Sequence, residues 1–372
     1  MWHTECVGIS KSSQNRLEVF DLLRGFFIFG IIVNHLGLFP NIFAFATGAT
    51  KLWVSFAEGF FIVSGFFVGY LYKNKISSDF LAVLKKMSSR SLRLYLWTVY
   101  LTILFTYWGN WMPIGSVKEG LWILHPENLI EFLKRVITLR YTYGWADILP
   151  YYSVYLLVSP FYLYLLRFGL IVPLVSINLI IWFFRGVNSY MAIQILFFMG
   201  VIAGFYGDVI KKWWLKHRHV WRFKFRTIIY GIFVVSLLAS MFSVFGLDKV
   251  VSTGPLSSYL ISKNRVLNWY FDKQTVGLGR WLLSPLWILA LYFGFSSFIK
   301  PIRKWLGWLF SVFGRNSLRS YIVHSFVIYP IPFLVLMTGY KSVFTNSFIT
   351  LGVVLIVFWI TDLFVHINRF RA

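Results

Sequence analysis

Long runs of hydrophobic residues, separated by short polar or basic connectors, dominate this 372-residue chain. A helix that crosses a bilayer needs about 20 predominantly apolar residues. Ten segments have this pattern: 17–38, 52–72, 91–108, 148–166, 168–184, 189–207, 226–246, 278–298, 317–338 and 344–365. The pattern predicts an all-α integral membrane protein, a polytopic bundle of about ten transmembrane helices. We expect one membrane-embedded domain, 16–366, between short tails at 1–15 and 367–372.

The composition excludes a water-soluble fold. Hydrophobic residues make up 58% of the chain and charged residues only 13%, whereas soluble domains carry about 25% charged residues. Mean hydropathy is +0.69, and apolar surface left in water costs about 25 cal/mol per Å². A soluble enzyme, a disordered chain and a fibrous repeat are therefore excluded.

The remaining charge is strongly positive, with 36 Lys and Arg against 13 Asp and Glu. Basic residues concentrate in connectors on the side of the membrane that holds the N-terminus, which is the positive-inside pattern. We therefore expect both termini in the cytoplasm, and anionic lipid rather than nucleic acid beside the basic segment 211–226. The single cysteine, Cys6, excludes a Cys-based metal site, and His217-x-His219 lacks further ligands, so no metal is expected.

The connector 125–140 has the pattern of a short surface helix. His125-Pro126-Glu127 resembles a helix start, with proline in the first turn and an acid at the positive end of the dipole. Apolar residues then follow at helical spacing: Leu129, Ile130, Leu133, Val136 and Ile137. We expect an amphipathic helix at the outer surface.

Polar residues inside apolar runs are the candidates for function, because a charge at the bilayer centre costs about 2.5–3.5 kcal/mol on insertion scales. In the first predicted helix, Arg24 and His35 are about three turns apart and share one face, about 16 Å apart along the axis. Asp21 precedes Arg24 by three residues and is close enough to pair with it. We expect the guanidinium and the imidazole to face one shared cavity.

The second predicted helix carries Glu58 on the same face as Gly65 and Gly69. Glycines on this face let another helix approach closely. Glu58 falls at a similar depth to His35, so its carboxylate is a candidate to hydrogen-bond the imidazole and strengthen it as a base. The alternative is that Glu58 pairs with another polar group and only holds the bundle together.

Several motifs together resemble a known family. Two stand in adjacent predicted helices: Asp21-x-x-Arg24-Gly25 with His35 eleven residues after Arg24, and Phe60-Phe61-x-x-Ser64-Gly65-Phe66. They resemble the signature of the acyltransferase family 3 membrane enzymes. Later segments are similar to the OpgC branch, the osmoregulated periplasmic glucan succinyltransferases: Asp147-Ile-Leu-Pro-Tyr-Tyr152, Gln194-Ile-Leu-Phe-Phe-Met-Gly200, Asp272-Lys273, and Gly314-Arg-Asn-Ser-Leu318 with Tyr321 and His324.

The resemblance implies an O-acyltransferase of the inner (plasma) membrane. Such an enzyme moves an acyl group, succinyl or acetyl, from cytoplasmic acyl-CoA to a hydroxyl of a periplasmic or cell-surface carbohydrate. Acyl-CoA is then a co-substrate, and no bound cofactor is expected.

The same resemblance implies roles for individual residues. His35 is the expected general base, and Arg24, held by Asp21, is the expected contact to the acyl donor. Further candidates for the acyl-CoA site are Arg90, Arg93, His324 and Ser64. For His324 the alternative is a hydrogen bond to a neighbouring helix. For the two arginines, which stand in a stretch with Lys85 and Lys86, the alternative is the ordinary positive-inside excess. For Ser64 the alternatives are an acyl-carrying nucleophile and a packing residue between helices.

Two other classes of function stay open at this stage. A polar stripe inside a helical bundle can line the pathway of a transporter or flippase for a sugar-containing substrate. A membrane scaffold without catalysis would tolerate apolar residues in place of Arg24 and His35.

Overall fold

A computed structural model describes residues 11–110, 128–243, 266–267, 269–331 and 342–370. Throughout these ranges the regular structure is helical, and no strand occurs in them. The helices of this part are α1 Lys11–Leu36, α2 Ala44–Thr47, α3 Phe56–Tyr72, α4 Lys75–Ser78, α5 Phe80–Asn110, α6 Leu129–Ile137, α7 Ile148–Arg167, α8 Ile171–Phe183, α9 Ser189–Phe205, α10 Gly207–Lys216, α11 His219–Met241, α12 Leu278–Ser297, α13 Ile299–Trp305, α14 Gly307–Arg315, α15 Ser317–Ile328 and α16 Val343–Phe370.

Several of these helices have the length and composition of membrane spans. Five qualify within the described residues: Glu18–Leu36, Gly144–Arg167, His219–Met241, Leu278–Ser297 and Val343–Ile367. The pair α9 and α10, bent by 63°, qualifies as a sixth if both helices form one span. The protein is thus an all-helical membrane protein in its described part, as expected. Each of the ten predicted segments contains a helix, but the number of ten spans and the cytoplasmic position of the termini stay predictions.

Helix α5 begins at Phe80, well before the start of the segment 91–108. The side chain of Asp79 accepts a hydrogen bond from the backbone N–H of Ala82 at 2.8 Å, which satisfies an orphan donor of the first turn. Apolar side chains at helical spacing are then buried: Val83, Met87 and Leu94. The basic stretch before residue 91 was therefore wrongly predicted to be a connector, because its apolar residues already form a helix face.

The amphipathic helix predicted in 125–140 is present as α6. The side chain of Asn128 accepts hydrogen bonds from the backbone N–H groups of Ile130, at 2.9 Å, and Glu131, at 3.4 Å. Asn128 is therefore the N-cap that the sequence reading missed, and 125–127 lie outside the described residues. Phe132 and Val136 are the buried side chains of α6.

The chain divides into two compact units. The first comprises the described parts of Met1–Asn34, Phe43–Leu71 and Ile171–Ser317. The second comprises the described parts of His35–Ile42, Tyr72–Leu170 and Leu318–Ala372.

Within the first unit, α3 and α9 cross at glycines contributed by both helices. A Cβ added to Gly65 or Gly69 would overlap the backbone of α9, and one added to Gly200 or Gly204 would overlap the backbone of α3. This is the close approach that small residues at a four-residue interval allow in membranes. The prediction that Gly65 and Gly69 face another helix is confirmed.

A second close crossing in this unit joins α1 to α14. A Cβ on Gly25 would overlap the backbone of Phe310, and one on Gly314 would overlap the backbone of Asp21. The two backbones therefore meet beside Arg24, which brings the C-terminal turn of α14 within reach of its side chain.

Within the second unit, α5 and α7 pack along each other. The hydroxyl of Ser91 donates to the backbone carbonyl oxygen of Ser153 at 2.8 Å, and the hydroxyl of Ser153 donates to the backbone carbonyl oxygen of Ser91 at 2.9 Å. Both serines are buried. The two hydrogen bonds cross-link the helices with small polar side chains, which is typical of helix contacts in membranes.

We expect Gly65→Ala and Gly200→Ala to lower the apparent unfolding temperature of the protein in detergent. Each added methyl meets the carbonyl oxygen of the facing helix, and such overpacking costs about 1–3 kcal/mol. Gly352→Ala is the matched control, because a Cβ at Gly352 meets no atom within 4 Å and alanine favours a helix more than glycine. Equal stability of Gly65→Ala and Gly352→Ala would contradict this packing.

Candidate functional site

The two units each contain some of the predicted site residues. The first unit contains Asp21, Arg24, Glu58 and Ser64, and the second contains His35, Arg90, Arg93 and His324. Each group has its own polar cluster.

Arg24 caps the end of a neighbouring helix. Its Nε donates to the carbonyl oxygen of Gly314 at 2.6 Å, and its Nη2 donates to the same oxygen. Gly314 lies in the last turn of α14, where carbonyl groups lack partners within the helix. Arg24 is buried, with 8% of its surface exposed. The guanidinium therefore supplies hydrogen-bond donors to a carbonyl oxygen at the end of α14. The same hydrogen bonds hold the guanidinium in one orientation.

The predicted pair between Asp21 and Arg24 is present. Oδ1 of Asp21 lies 3.4 Å from Nη2 of Arg24, and Oδ2 lies 4.0 Å from Nε of Arg315. The guanidinium carbon of Arg24 also lies 4.7 Å from the centre of the Phe67 ring, within the range of a cation–π interaction. Asp21 thus lies between two arginines in this cluster.

Glu58 belongs to a buried ion pair. Its Oε2 accepts from the backbone N–H of Ser55 at 2.7 Å and from the Ser55 hydroxyl. Its Oε1 accepts from Nη1 of Arg280 at 2.6 Å. Both carboxylate oxygens therefore have donors within the first unit. This arrangement fits the alternative in which Glu58 pairs with another polar group and holds the bundle together. A hydrogen bond between Glu58 and His35 stays a prediction.

Arg280 is the functional candidate that the sequence reading missed. Besides Glu58, its guanidinium binds two backbone carbonyl oxygens, with Nε 2.9 Å from Phe271 and Nη2 3.0 Å from Leu52. Only 3% of the residue is exposed. The signal was available, because Arg280 lies inside the predicted span 278–298, where a charge indicates a function or a partner.

The turn before α12 contains Asp272, part of one of the family-like motifs. Its Oδ2 accepts from the backbone N–H of Thr275 at 2.7 Å and from the Thr275 hydroxyl at 2.6 Å. Burial alone would raise the pKa of Asp272, but these hydrogen bonds outweigh it and lower the pKa below its ordinary value. Asp272 is therefore ionised at neutral pH and holds the turn that leads to Arg280.

Ser64 is buried in α3, one residue before Gly65 at the crossing with α9. The described contacts do not test whether Ser64 is a nucleophile or a packing residue, so both roles stay predictions.

In the second unit, two histidines from distant parts of the chain meet. Nδ1 of His35 lies 3.0 Å from Nε2 of His324. Nδ1 of His324 is in turn hydrogen-bonded to the backbone carbonyl oxygen of Tyr321, one turn earlier in α15. His324 is fully buried, whereas His35 is partly buried.

This arrangement assigns the protons on both rings. A carbonyl oxygen can only accept, so Nδ1 of His324 carries the proton. A charged imidazolium is costly in a fully buried position, so His324 is neutral and its Nε2 accepts. Nδ1 of His35 must then be the donor between the rings, and in the neutral form of His35 the lone pair is on Nε2.

The segment before α7 completes the surroundings of His35. The indole Nε1 of Trp145 donates to the backbone carbonyl oxygen of His35 at 3.1 Å. The Tyr321 hydroxyl donates to Oδ1 of Asp147 at 2.9 Å and accepts from the backbone N–H of Ile148 at 3.4 Å. The motifs around Asp147 and Tyr321, far apart in the sequence, thus meet at this cluster.

Arg90 and Arg93 lie within α5 rather than in a connector. Arg93 is exposed, and its Nε donates to the carbonyl oxygen of Ser89 at 3.3 Å, while Arg90 is partly buried. Lys85 and Lys86 are exposed on the same helix. A role of these residues toward CoA phosphates stays a prediction.

Among the residues that the structure describes, no group of three or more His, Cys, Asp or Glu side chains is arranged to hold a metal ion.

Comparison with known proteins identifies the family. The family model described as "OpgC protein" matches residues 16–368. No curated protein and no solved structure matches the chain. Because the match covers nearly the whole sequence, the protein belongs to the OpgC family, and this membership implies the transfer of acyl groups to glucans.

Proposed function

We propose that the protein is an acyl-CoA-dependent O-acyltransferase of the inner membrane. It moves a succinyl or acetyl group from cytoplasmic acyl-CoA to a hydroxyl of an extracytoplasmic glycan. The observation that carries the proposal is the contact of 3.0 Å between Nδ1 of His35 and Nε2 of His324, in a chain of the OpgC family. With Nδ1 as the donor, neutral His35 has its lone pair on Nε2.

His35 acts as the general base. Nε2 takes the proton of the acceptor hydroxyl while the hydroxyl oxygen attacks the thioester carbonyl carbon. A C–O bond forms, the C–S bond of the tetrahedral intermediate breaks, and the proton leaves with the CoA sulfur. General base catalysis of this kind contributes about 10²–10⁴-fold to the rate.

Arg24 contacts the acyl donor. Its fixed, permanently charged guanidinium suits the pyrophosphate of CoA or the thioester oxygen, because a planar cation with N–H donors recognises oxygen anions. The hydrogen bonds to Gly314 and the pair with Asp21 support this role by holding the fork in one orientation. Arg90 and Arg93 are proposed as further contacts to CoA phosphates, and Ser64 as a neighbour of the donor.

Acyl-CoA and a periplasmic or cell-surface carbohydrate are the substrates, and the protein needs no resident cofactor. Residues 16–366 form the single membrane-embedded domain, with both termini in the cytoplasm and lipid around its helices.

The central test is His35→Ala in purified protein reconstituted into vesicles. With succinyl-CoA or acetyl-CoA and a glucan acceptor, we expect the rate of CoA release to fall about 10²–10⁴-fold, because the base is lost. His217→Ala is the control, since His217 is partly exposed, follows the end of α10 and is hydrogen-bonded to the backbone carbonyl oxygen of Trp213.

Product analysis decides between function classes in the same experiment. Mass spectrometry of the glucan should show one added acyl group per CoA released. Movement of the glucan across the vesicle membrane without CoA release would contradict the proposal and favour the transporter or flippase alternative.

Arg24→Lys tests the donor contact. Lysine keeps the charge but loses the planar fork, so we expect the KM for acyl-CoA to rise at least about tenfold. Arg315→Lys is the matched control, because Arg315 also lies beside Asp21 but is half exposed. An unchanged KM for acyl-CoA in folded Arg24→Lys protein would remove this role.

Glu58→Gln and Arg280→Gln test whether the buried pair is architectural. Each single change leaves one buried charge without its partner, which costs about 3–5 kcal/mol, so we expect a lower unfolding temperature. The double change Glu58→Gln with Arg280→Gln should recover part of the loss. If Glu58→Gln instead leaves stability intact and removes acyl transfer, Glu58 acts on His35 or on the substrate.

A further inference from the structure

The contact between His35 and His324 is asymmetric in its surroundings. His324 has no exposed surface, and its ring is fixed by the hydrogen bond to the Tyr321 carbonyl oxygen in its own helix. His35 is partly buried. The two ring centres lie 5.2 Å apart, and the planes are tilted by 35°. The buried ring is therefore the fixed partner and the more accessible ring is the one it orients.

The hydrogen bond to the Tyr321 carbonyl oxygen determines which nitrogen of His324 carries the proton. If His324 carried its proton on Nε2, its Nδ1 lone pair would face the lone pairs of the Tyr321 carbonyl oxygen. That arrangement replaces a hydrogen bond by repulsion between two acceptors. The backbone of α15 thus determines the tautomer of His324, and His324 determines that of His35.

We propose that His324 is a positioning residue for the acyl transfer: it accepts the Nδ1 proton of His35 and so directs the basic Nε2 toward the acceptor hydroxyl. The inference rests on the proposed function and deepens it. A neutral imidazole here has the role that a carboxylate has in many catalytic triads. When His35 takes the acceptor's proton, its Nδ1–H bond to His324 becomes charge-assisted and therefore stronger.

The aromatic and acidic neighbours of the pair support this role. The Tyr321 ring lies edge-on to both imidazoles, with centres 6.1 Å from His35 and 4.6 Å from His324. Its hydroxyl is directed to Asp147. Asp147 is thus an acidic group that the described contacts connect to the cluster through Tyr321.

The proposal differs from a direct donor contact by His324 in its kinetic consequence. A residue that binds acyl-CoA in the ground state affects KM, whereas a residue that orients the base affects kcat.

The test compares His324→Leu with His324→Gln. Leucine removes the acceptor for the His35 Nδ1–H, while glutamine supplies an amide oxygen in its place. The Tyr321 carbonyl oxygen keeps a donor in both variants, because the Ser325 hydroxyl also binds it at 3.0 Å. Folding is verified by the unfolding temperature of each variant.

We expect kcat to fall about 10- to 100-fold in His324→Leu, with the KM for acyl-CoA unchanged, and to recover in part in His324→Gln. In the His35→Ala background, His324→Leu should cause no further loss, because the two rings act as one unit. Equal kcat in the Leu variant and wild type, or a change confined to KM, would overturn the proposal.

A chemical measurement separates this proposal from the proposed function. Diethyl pyrocarbonate acylates neutral imidazole nitrogens, and mass spectrometry reports the modification of each histidine without any acyl transfer by the protein. At about pH 8, above the ordinary pKa of histidine, we expect His35 to be modified several-fold more slowly in His324→Leu than in wild type and His324→Gln.

An identical rate of His35 modification in wild type and His324→Leu would show that His324 does not orient His35. If wild type transfers no acyl group but His35 shows the expected difference in reactivity, the proposed function fails while the coupling between the two histidines holds.

Discussion

Polar groups that leave water in a bundle of apolar helices must find partners within the protein, because an unpaired buried charge costs far more than any single hydrogen bond returns. Arg24 meets this constraint at the end of α14, through the Gly314 carbonyl oxygen and Asp21. Arg280 meets it through Glu58 and two backbone carbonyl oxygens. Each buried guanidinium is therefore fixed to elements distant in sequence, and each ties those elements together.

The need for buried partners is met differently in the ion pair of Glu58 with Arg280 and in the contact between His35 and His324, and the two clusters are suited to different roles. Around Glu58 and Arg280, both charges meet in one ion pair, so the cluster is complete as an architectural element. The chain from Tyr321 through His324 to His35 has a direction instead: each ring donates from Nδ1, and the last nitrogen in the chain, Nε2 of His35, carries a lone pair. A directed chain of this kind is suited to take up a proton, whereas a closed ion pair is suited to hold helices in place.

Polar residues deep within apolar runs, such as Arg24, His35 and Glu58, each have a hydrogen-bond partner in the structure, and their roles in a functional site stay predictions. The rule that such residues are candidates for function missed Arg280, which lies near the start of α12. It also failed at the start of α5, where lysines and arginines suggested a connector although Val83, Met87 and Leu94 already formed a buried face. Local composition is ambiguous at such boundaries, because long basic side chains tolerate both a helix surface and a loop.

The sequence by itself determined the membrane environment, the helical class and the family motifs, since hydropathy and spacing are properties of neighbouring residues. It also determined the pair between Asp21 and Arg24, which helix geometry brings together over one turn. Only the tertiary structure decided that His324 binds His35, far away in the chain. Such partners depend on how helices pack, and one sequence contains no measure of which buried donor will meet which buried acceptor.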